Sequence, residues 1–174
     1  MPSLVGSEMC IRDREKQHAL QQLEQLQKKL YAIHYACSAM NLDADTVAPK
    51  NTSEGRGVAL GVLAGEEQQL MICPETRALL DELDRQKDEL DLLHRREVEE
   101  LRRRCDQLTR IPAEEYIAYS ELVNKAGDVW HKAKEKDDFA MFCPLLQELV
   151  EYNRKFAAYY DSTRAPYDAL LNEY

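Results

Sequence analysis

The sequence predicts an all-α fold, an elongated multi-helix array with a long antiparallel helical arm. Charged residues make up 32% of the 174, and Gly and Pro number six each. That composition suits helices and argues against a β-sandwich, collagen or a disordered tail. Apolar residues recur at three- and four-residue steps through most of the chain, the period of a helix face. Pro49, Pro74, Pro112 and Pro166 fall where those periodic segments start or stop, as expected of a residue that lacks a backbone N–H.

The elements follow in order. Residues 1–14 fit no helix or strand pattern. Within them, the run from Leu4 to Asp13 resembles the translation of a DNA-sequencing library adapter, so 1–14 is expected to be a non-native segment and is set apart from fold reasoning. A first helix over 15–40 carries Leu20, Leu23, Leu26, Leu30 and Ile33 on one face. Asp43, Asp45 and Pro49 mark a loop over 41–51. Thr52 or Ser53 caps a second helix running to about Ile72, with Glu54 in its first turn. Its apolar content is Val58, Leu60, Val62, Leu63, Leu70 and Met71, and Gly57, Gly61 and Gly65 share one stripe. Each glycine costs about 1 kcal/mol relative to Ala, so the spacing predicts close approach of a neighbouring helix.

Pro74 opens a third helix that continues to Arg110, with a break or bend near 86–88. Its seam is Leu79, Leu83, Leu90, Leu93, Val98, Leu101, Cys105 and Leu108. At 1.5 Å per residue this arm would be about 50 Å long, and its dense charge pairs suit a projecting, solvated surface. Pro112 restarts a helix whose inner face is Tyr116, Tyr119, Val123, Ala126, Trp130 and Ala133. After a turn at 136–138, a helix over 139–160 turns Phe142, Leu146, Leu149, Val150, Phe156 and Tyr160 inward, with Pro144 in its first turns. Pro166 begins a last short helix.

Charge and apolar content exclude several function classes. The balance is 23 basic to 32 acidic residues, net −9, whereas nucleic acid and anionic membranes require a basic footprint. No apolar run approaches the ~20 residues of a membrane span, and the start of the chain lacks a signal-peptide pattern. A cytoplasmic protein is expected. The five cysteines are dispersed and form no CxxC, which points to free thiols rather than a zinc ribbon or a disulfide framework.

The sequence contains no Gly-rich phosphate loop, no HExxH and no nucleophile beside a histidine. Two Asp-x-x-His pairs, Asp91/His94 and Asp128/His131, have a spacing that shares a helix face and could converge on a metal, as Glu-x-x-His does in di-metal bundles. Both lie amid charge-rich helix surface, where simple solvation is the commoner role. Asp43 and Asp45 could bind a cation, but capping or solvation is far commoner. Trp130 lies on the core stripe. Tyr152, Tyr159, Tyr160, Tyr167 and Tyr174 suggest an amphipathic contact surface. No catalytic, cofactor-binding or metal-binding residue is assigned.

The second half carries a dispersed pattern: Trp130-x-x-Ala133, then Asp138-Phe139-x-x-Phe142-x-Pro144-x-Leu146, then Tyr167-Asp168-Ala169-Leu170-Leu171-x-Glu173-Tyr174. It resembles the N-terminal lobe of the carboxypeptidase Taq family of metallocarboxypeptidases. Upstream, Leu42-Asp43-Ala44-Asp45-Thr46-x-x-Pro49 falls where the family has Trp-Asp-x-Glu-Thr-x-x-Pro, and Arg56 matches a family arginine. Leu42 replaces the Trp and Asp45 the Glu. The resemblance covers 15–174 and implies an incomplete N-terminal helical lobe of a longer, two-lobed all-helical enzyme. That enzyme would bind a divalent metal, usually zinc, through HExxH and a later glutamate, with the metal polarising the scissile carbonyl and activating water. It would remove C-terminal amino acids from peptides and form a homodimer. The family continues past the Tyr174 position with Glu-Pro-Gly, so the chain is expected to stop inside a motif.

On this reading the chain forms part of a groove wall or cap, binds no zinc itself and is inactive alone. Bare apolar groups such as Trp130 and Phe142 would make it self-associate. The alternatives are a stand-alone helical adaptor that uses the 86–108 arm and a metal carrier that uses His94 and His131.

Overall fold

A computed structural model describes residues 4–49 and 51–171, with side chains from residue 13 onward. Every regular element among the described residues is helical: α1 (Leu4–Thr46), α2 (Ser53–Ile72), α3 (Pro74–Arg85), α4 (Leu92–Arg110), α5 (Ala113–Glu135), α6 (Phe139–Asp161) and α7 (Pro166–Leu170). A single 3-10 turn, Lys87–Glu89, joins α3 to α4.

The first helix is longer than expected at both ends. Residues 4–14 are helical although they show no apolar period, and 41–46 are helical where a loop was expected. No Gly or Pro occurs between Ser7 and Ala48, and extending an established helix is cheap. Pro49 stops it by disfavouring helical geometry at the residue before it. The Asp43 carbonyl accepts from the Val47 and Ala48 amides (3.0 and 2.8 Å), and Asn51 takes a left-handed conformation (φ 75°). Asp43 and Asp45 therefore sit on the last turns of α1. At 43 residues, α1 is a spine of roughly 64 Å.

α2 and α3 lie end to end along that spine, antiparallel to it. His34 meets Glu67, Leu26 and Leu30 meet Met71 and Leu80, and Leu23 meets Leu83. The joint is Cys73-Pro74, with Pro74 at the first position of α3. There the Thr76 hydroxyl donates to the Leu70 carbonyl at 2.8 Å. Thr52 precedes α2 as expected but makes no side-chain cap; its hydroxyl donates to the Pro49 carbonyl instead.

The expected continuous 74–110 helix is broken: the seam gap becomes a reversal, and α4 returns along α3 as an antiparallel hairpin. Arg77 donates to Thr109, and Arg102 pairs with Asp81. Asp91 caps α4, accepting from the His94 amide at 2.9 Å. The physical reason is apolar cover: Leu83, Leu90 and Val98 bury together against Ala19 and Leu23, which an extended helix would leave in water. The 108–111 end of α4 is held by Gln68 of α2, whose buried amide donates to the Leu108 and Ile111 carbonyls (3.1 and 2.8 Å).

α5 runs antiparallel to α2 along the glycine stripe. A Cβ on Gly57 would lie 3.0 Å from Asn124 Nδ2, one on Gly61 would lie 2.9 Å from Glu121 Oε1, and one on Gly65 would lie 3.1 Å from Ile117 Cδ1. The expected close approach is present and α5 is the neighbour. α6 then returns against α5 through Leu122, Ala126 and Leu145 and an aromatic cluster of Tyr119, Tyr152 and Phe156. The 136–138 turn forms as expected, with Asp137 left-handed and Asp138 capping α6.

Several residues expected inside are outside. Leu93, Val123, Trp130, Leu146 and Val150 are exposed, and on α5 and α6 Leu122, Leu145 and Ala157 are buried instead. The apolar stripes of α5 and α6 are wider than their contacts, so the period leaves the contact line within the stripe undetermined. Met1–Ser3 and the tail residues Asn172, Glu173 and Tyr174 lie outside the described residues.

Leu83→Ala is expected to cost about 2–5 kcal/mol in urea unfolding, the range for a fully buried leucine. A cost below about 0.5 kcal/mol, normal for a surface position, would contradict the buried α1–α3–α4 seam. Gly55 has open space at its Cβ position, so Gly55→Ala is expected to stabilise by up to about 1 kcal/mol. Gly57→Ala is expected to destabilise, because Asn124 is pinned by Arg56 and by the Ser53 carbonyl and cannot yield. Their urea midpoints should move in opposite directions.

Candidate functional site: the groove between α1, α2 and α5

The close contact of α2 with α5 leaves a groove beside α1 of about 520 Å³. Its two ends carry charge. At one end Arg56, from the first turn of α2, is nearly enclosed. Its Nε donates to Asn124 Oδ1 and its Nη2 to Asp128 Oδ1, both at 2.8 Å. Asn124 in turn donates to the Ser53 carbonyl at 3.1 Å. At the rim, His131 Nε2 lies 3.4 Å from Asp45 Oδ1, tying the end of α1 to α5.

At the other end Glu67 is buried on the stripe that also holds Leu60, Ala64 and Met71. Its Oε1 accepts from His34 Nε2 at 3.0 Å and pairs with the Arg104 guanidinium from α4. Two neighbours respond to this setting. Burial, then the Glu67 charge, pushes the Tyr116 phenol above its ordinary range. The same two causes, in the same order, push the Cys37 thiol up. Both groups are held protonated at neutral pH, so neither is a ready nucleophile or base. The charges of Arg56 and Glu67 are met inside the protein. The groove can therefore hold shape and polarity, but the described residues build no acid–base pair facing an open position.

The sequence-selected pairs go to separate tasks. Asp91 and His94 form the α4 cap, with His94 Nδ1 2.7 Å from Asp91 Oδ2. The backbone and side-chain hydrogen bonds from His94 hold the Asp91 carboxyl below its usual range. Asp128 is taken by Arg56, and His131 faces Asp45. Among the described residues no three His, Cys, Asp or Glu side chains are placed to hold a metal ion, so these residues do not fit a metal. Trp130 is not core. It is 42% exposed, with Lys134 Nζ 4.9 Å over its ring. Of the tyrosines, Tyr152 belongs to the α5–α6 aromatic cluster and Tyr159 donates to Glu115, whereas Tyr167 is exposed. Tyr174 lies outside the described residues.

Sequence reasoning missed the Arg56–Asn124–Asp128 and Glu67–His34–Arg104 clusters. Glu67 was detectable: it stands at an apolar position of α2, three residues after Ala64 and four before Met71. A larger hollow of about 840 Å³ between α1, α2 and α3 is lined by glutamines and leucines and by His18, Glu24, Lys29 and Glu75.

The model of the carboxypeptidase Taq (M32) metallopeptidase family matches residues 22–174. Carboxypeptidase 1 of Bacillus subtilis (strain 168) is 34% identical over 147 residues, covering 84% of this chain and 29% of the relative. Thermostable carboxypeptidase 1 of Pyrococcus furiosus is 31% identical over the same shares. The solved BsuCP structure superimposes with a TM-score of 0.85 at 32% identity, covering 90% of this chain and 32% of that one. Trypanosoma cruzi metallocarboxypeptidase 1 does so with a TM-score of 0.69 at 30% identity, with the same coverage. The chain thus spans about three-tenths of the length of the relatives it matches. Residue pattern, helix order and superposition agree, and the chain belongs to the carboxypeptidase Taq (M32) family of metallopeptidases.

Proposed function

We propose that this chain is the N-terminal lobe of a metallocarboxypeptidase that removes C-terminal amino acids from peptides, and that it forms part of the wall or cap of the substrate groove. The carrying observation is the superposition on BsuCP, in which 90% of this chain covers 32% of that one. The parent enzyme would hold zinc or another divalent metal on residues outside those described here, take peptides as substrates and act as a homodimer. This lobe alone would bind no metal and release no amino acid. Its own residues do positional work: Arg56 and Glu67 lock α2 to α5 and α4, which sets the groove walls. The outward Trp130, Phe139, Val150 and Tyr167 are suitable cover for the remainder of such an enzyme. The free thiols of Cys37, Cys73, Cys105 and Cys143 suit the reducing cytoplasm.

The test is a chimera in which residues 22–174 replace the matching segment of Bacillus subtilis carboxypeptidase 1. Release of the C-terminal residue from a blocked dipeptide is then measured. Misplacing a groove wall by ~1 Å costs about 100-fold, so activity within that range of the parent is expected, with none from the 174-residue chain alone. A folded, metal-loaded but inactive chimera would overturn the lobe assignment. Chelator-sensitive release by the chain alone would overturn its inactivity.

A further inference from the structure

α1 is anchored unevenly. Ala19, Leu23, Leu26 and Leu30 are buried, whereas no residue from Tyr31 to Thr46 is. That outer stretch still forms one wall of the groove, through Cys37, Asn41, Ala44 and Asp45. A segment with few buried contacts opens locally at low cost. Two histidine–carboxylate pairs tie it to other helices: His34 to Glu67 of α2 at 3.0 Å, and Asp45 to His131 of α5 at 3.4 Å.

The two pairs differ in what a proton does to them. At His34 the Arg104 guanidinium stands 3.4 Å from the same Nε2 and already serves Glu67. The other neighbours there, the Tyr116 phenol and the Cys37 thiol, are neutral. Protonating His34 would set two cations side by side, so this inner clasp gains nothing from acid. At His131 the group facing it from α1 is Asp45. From α2, Arg56 is spent on Asn124 and Asp128. On its own helix, Asp128 and Glu135 stand one turn to either side, Lys132 is adjacent, and Lys134 is drawn over the Trp130 ring. A proton on this imidazole turns a polar contact into an ion pair. Histidine is the side chain that ordinarily changes charge between about pH 5 and 8, and a carboxylate is ionised above about pH 4. The outer pair therefore carries opposite charges in mild acid. It loses the positive one as pH rises through neutrality, and the negative one below about pH 4. We propose that the 38–46 end of α1 is a proton-controlled strap over the groove, latched while His131 and Asp45 are both charged and released when His131 gives up its proton. Release unwinds the last turns of α1 and uncovers the α5 wall, while the His34–Glu67 pair remains as the fixed end. The latch concerns access to the groove alone, so its failure would leave the enzymatic assignment untouched.

Amide hydrogen exchange of the 174-residue chain tests the latch at about pH 5.5 and about pH 8, near the two ends of the histidine range. Protection is taken relative to the unstructured-peptide rate at each pH, which removes the intrinsic pH dependence of exchange. Protection at 41–46 should fall about two- to fivefold between the two, the range an exposed ion pair allows, while 23–30 stays constant. His131→Gln and Asp45→Asn should hold the low value at both pH values. His131→Lys, charged throughout, should hold the high value at both. Trp130 is the single tryptophan, and its ring lies 4.8 Å from the His131 ring. Its emission should change with pH in the unaltered chain and in Asp45→Asn but not in His131→Gln, which separates the proton on the imidazole from the latching it causes. Both substituted positions are exposed, and unchanged far-ultraviolet circular dichroism certifies folding. Equal protection of 41–46 at both pH values in the unaltered chain would overturn the proposal. A pH response that survives His131→Gln would overturn it too, as would His131→Lys behaving like His131→Gln.

Discussion

Everything beyond residue 112 depends on how closely α5 approaches α2. Gly57, Gly61 and Gly65 leave room for Asn124, Glu121 and Ile117 at positions where a Cβ would crowd them. Three glycines in a helix together cost about 3 kcal/mol of intrinsic helix preference, a loss the packed interface must offset. Leu60, Ala64 and Met71 supply part of that on the neighbouring faces. The approach also has a polar consequence. It brings Arg56 within reach of both Asn124 and Asp128, so a guanidinium that would otherwise be stranded at the helix start closes the interface at one end. α6 then follows from α5 through Tyr119, Tyr152 and Phe156, and α7 packs on α6.

Polarity inside this fold holds elements in place. Glu67 occupies a core position of α2, which is affordable only because Arg104 and His34 meet its carboxylate. The same charge, added to burial, keeps the Tyr116 phenol and the Cys37 thiol protonated. Gln68, one residue on, spends its amide on the Leu108 and Ile111 carbonyls and so satisfies the end of α4, while its Oε1 finds no partner among the described residues. α2 thereby contacts α1, α3, α4 and α5. These contacts tie α2 to its neighbours at both ends of the groove.

Much of the helix plan could be read from residues. Pro74 and the 136–138 turn are short-range features with short-range causes, and they stand where expected. The seam gap near 86–88 was also visible, but a gap alone does not say whether a helix bends or reverses. That outcome depends on cover for Leu83, Leu90 and Val98, which comes from Ala19 and Leu23 some sixty residues or more away in sequence. The end of α1 was misread because Asp43 and Asp45 favour loops only weakly, and nothing before Pro49 forbids a helix. Trp130 and Val123 were placed inside because a helical period marks a stripe, whereas the neighbouring helix selects the contact line within it. The Glu67 and Arg56 clusters join residues from α1, α2, α4 and α5, and no local pattern encodes such meetings.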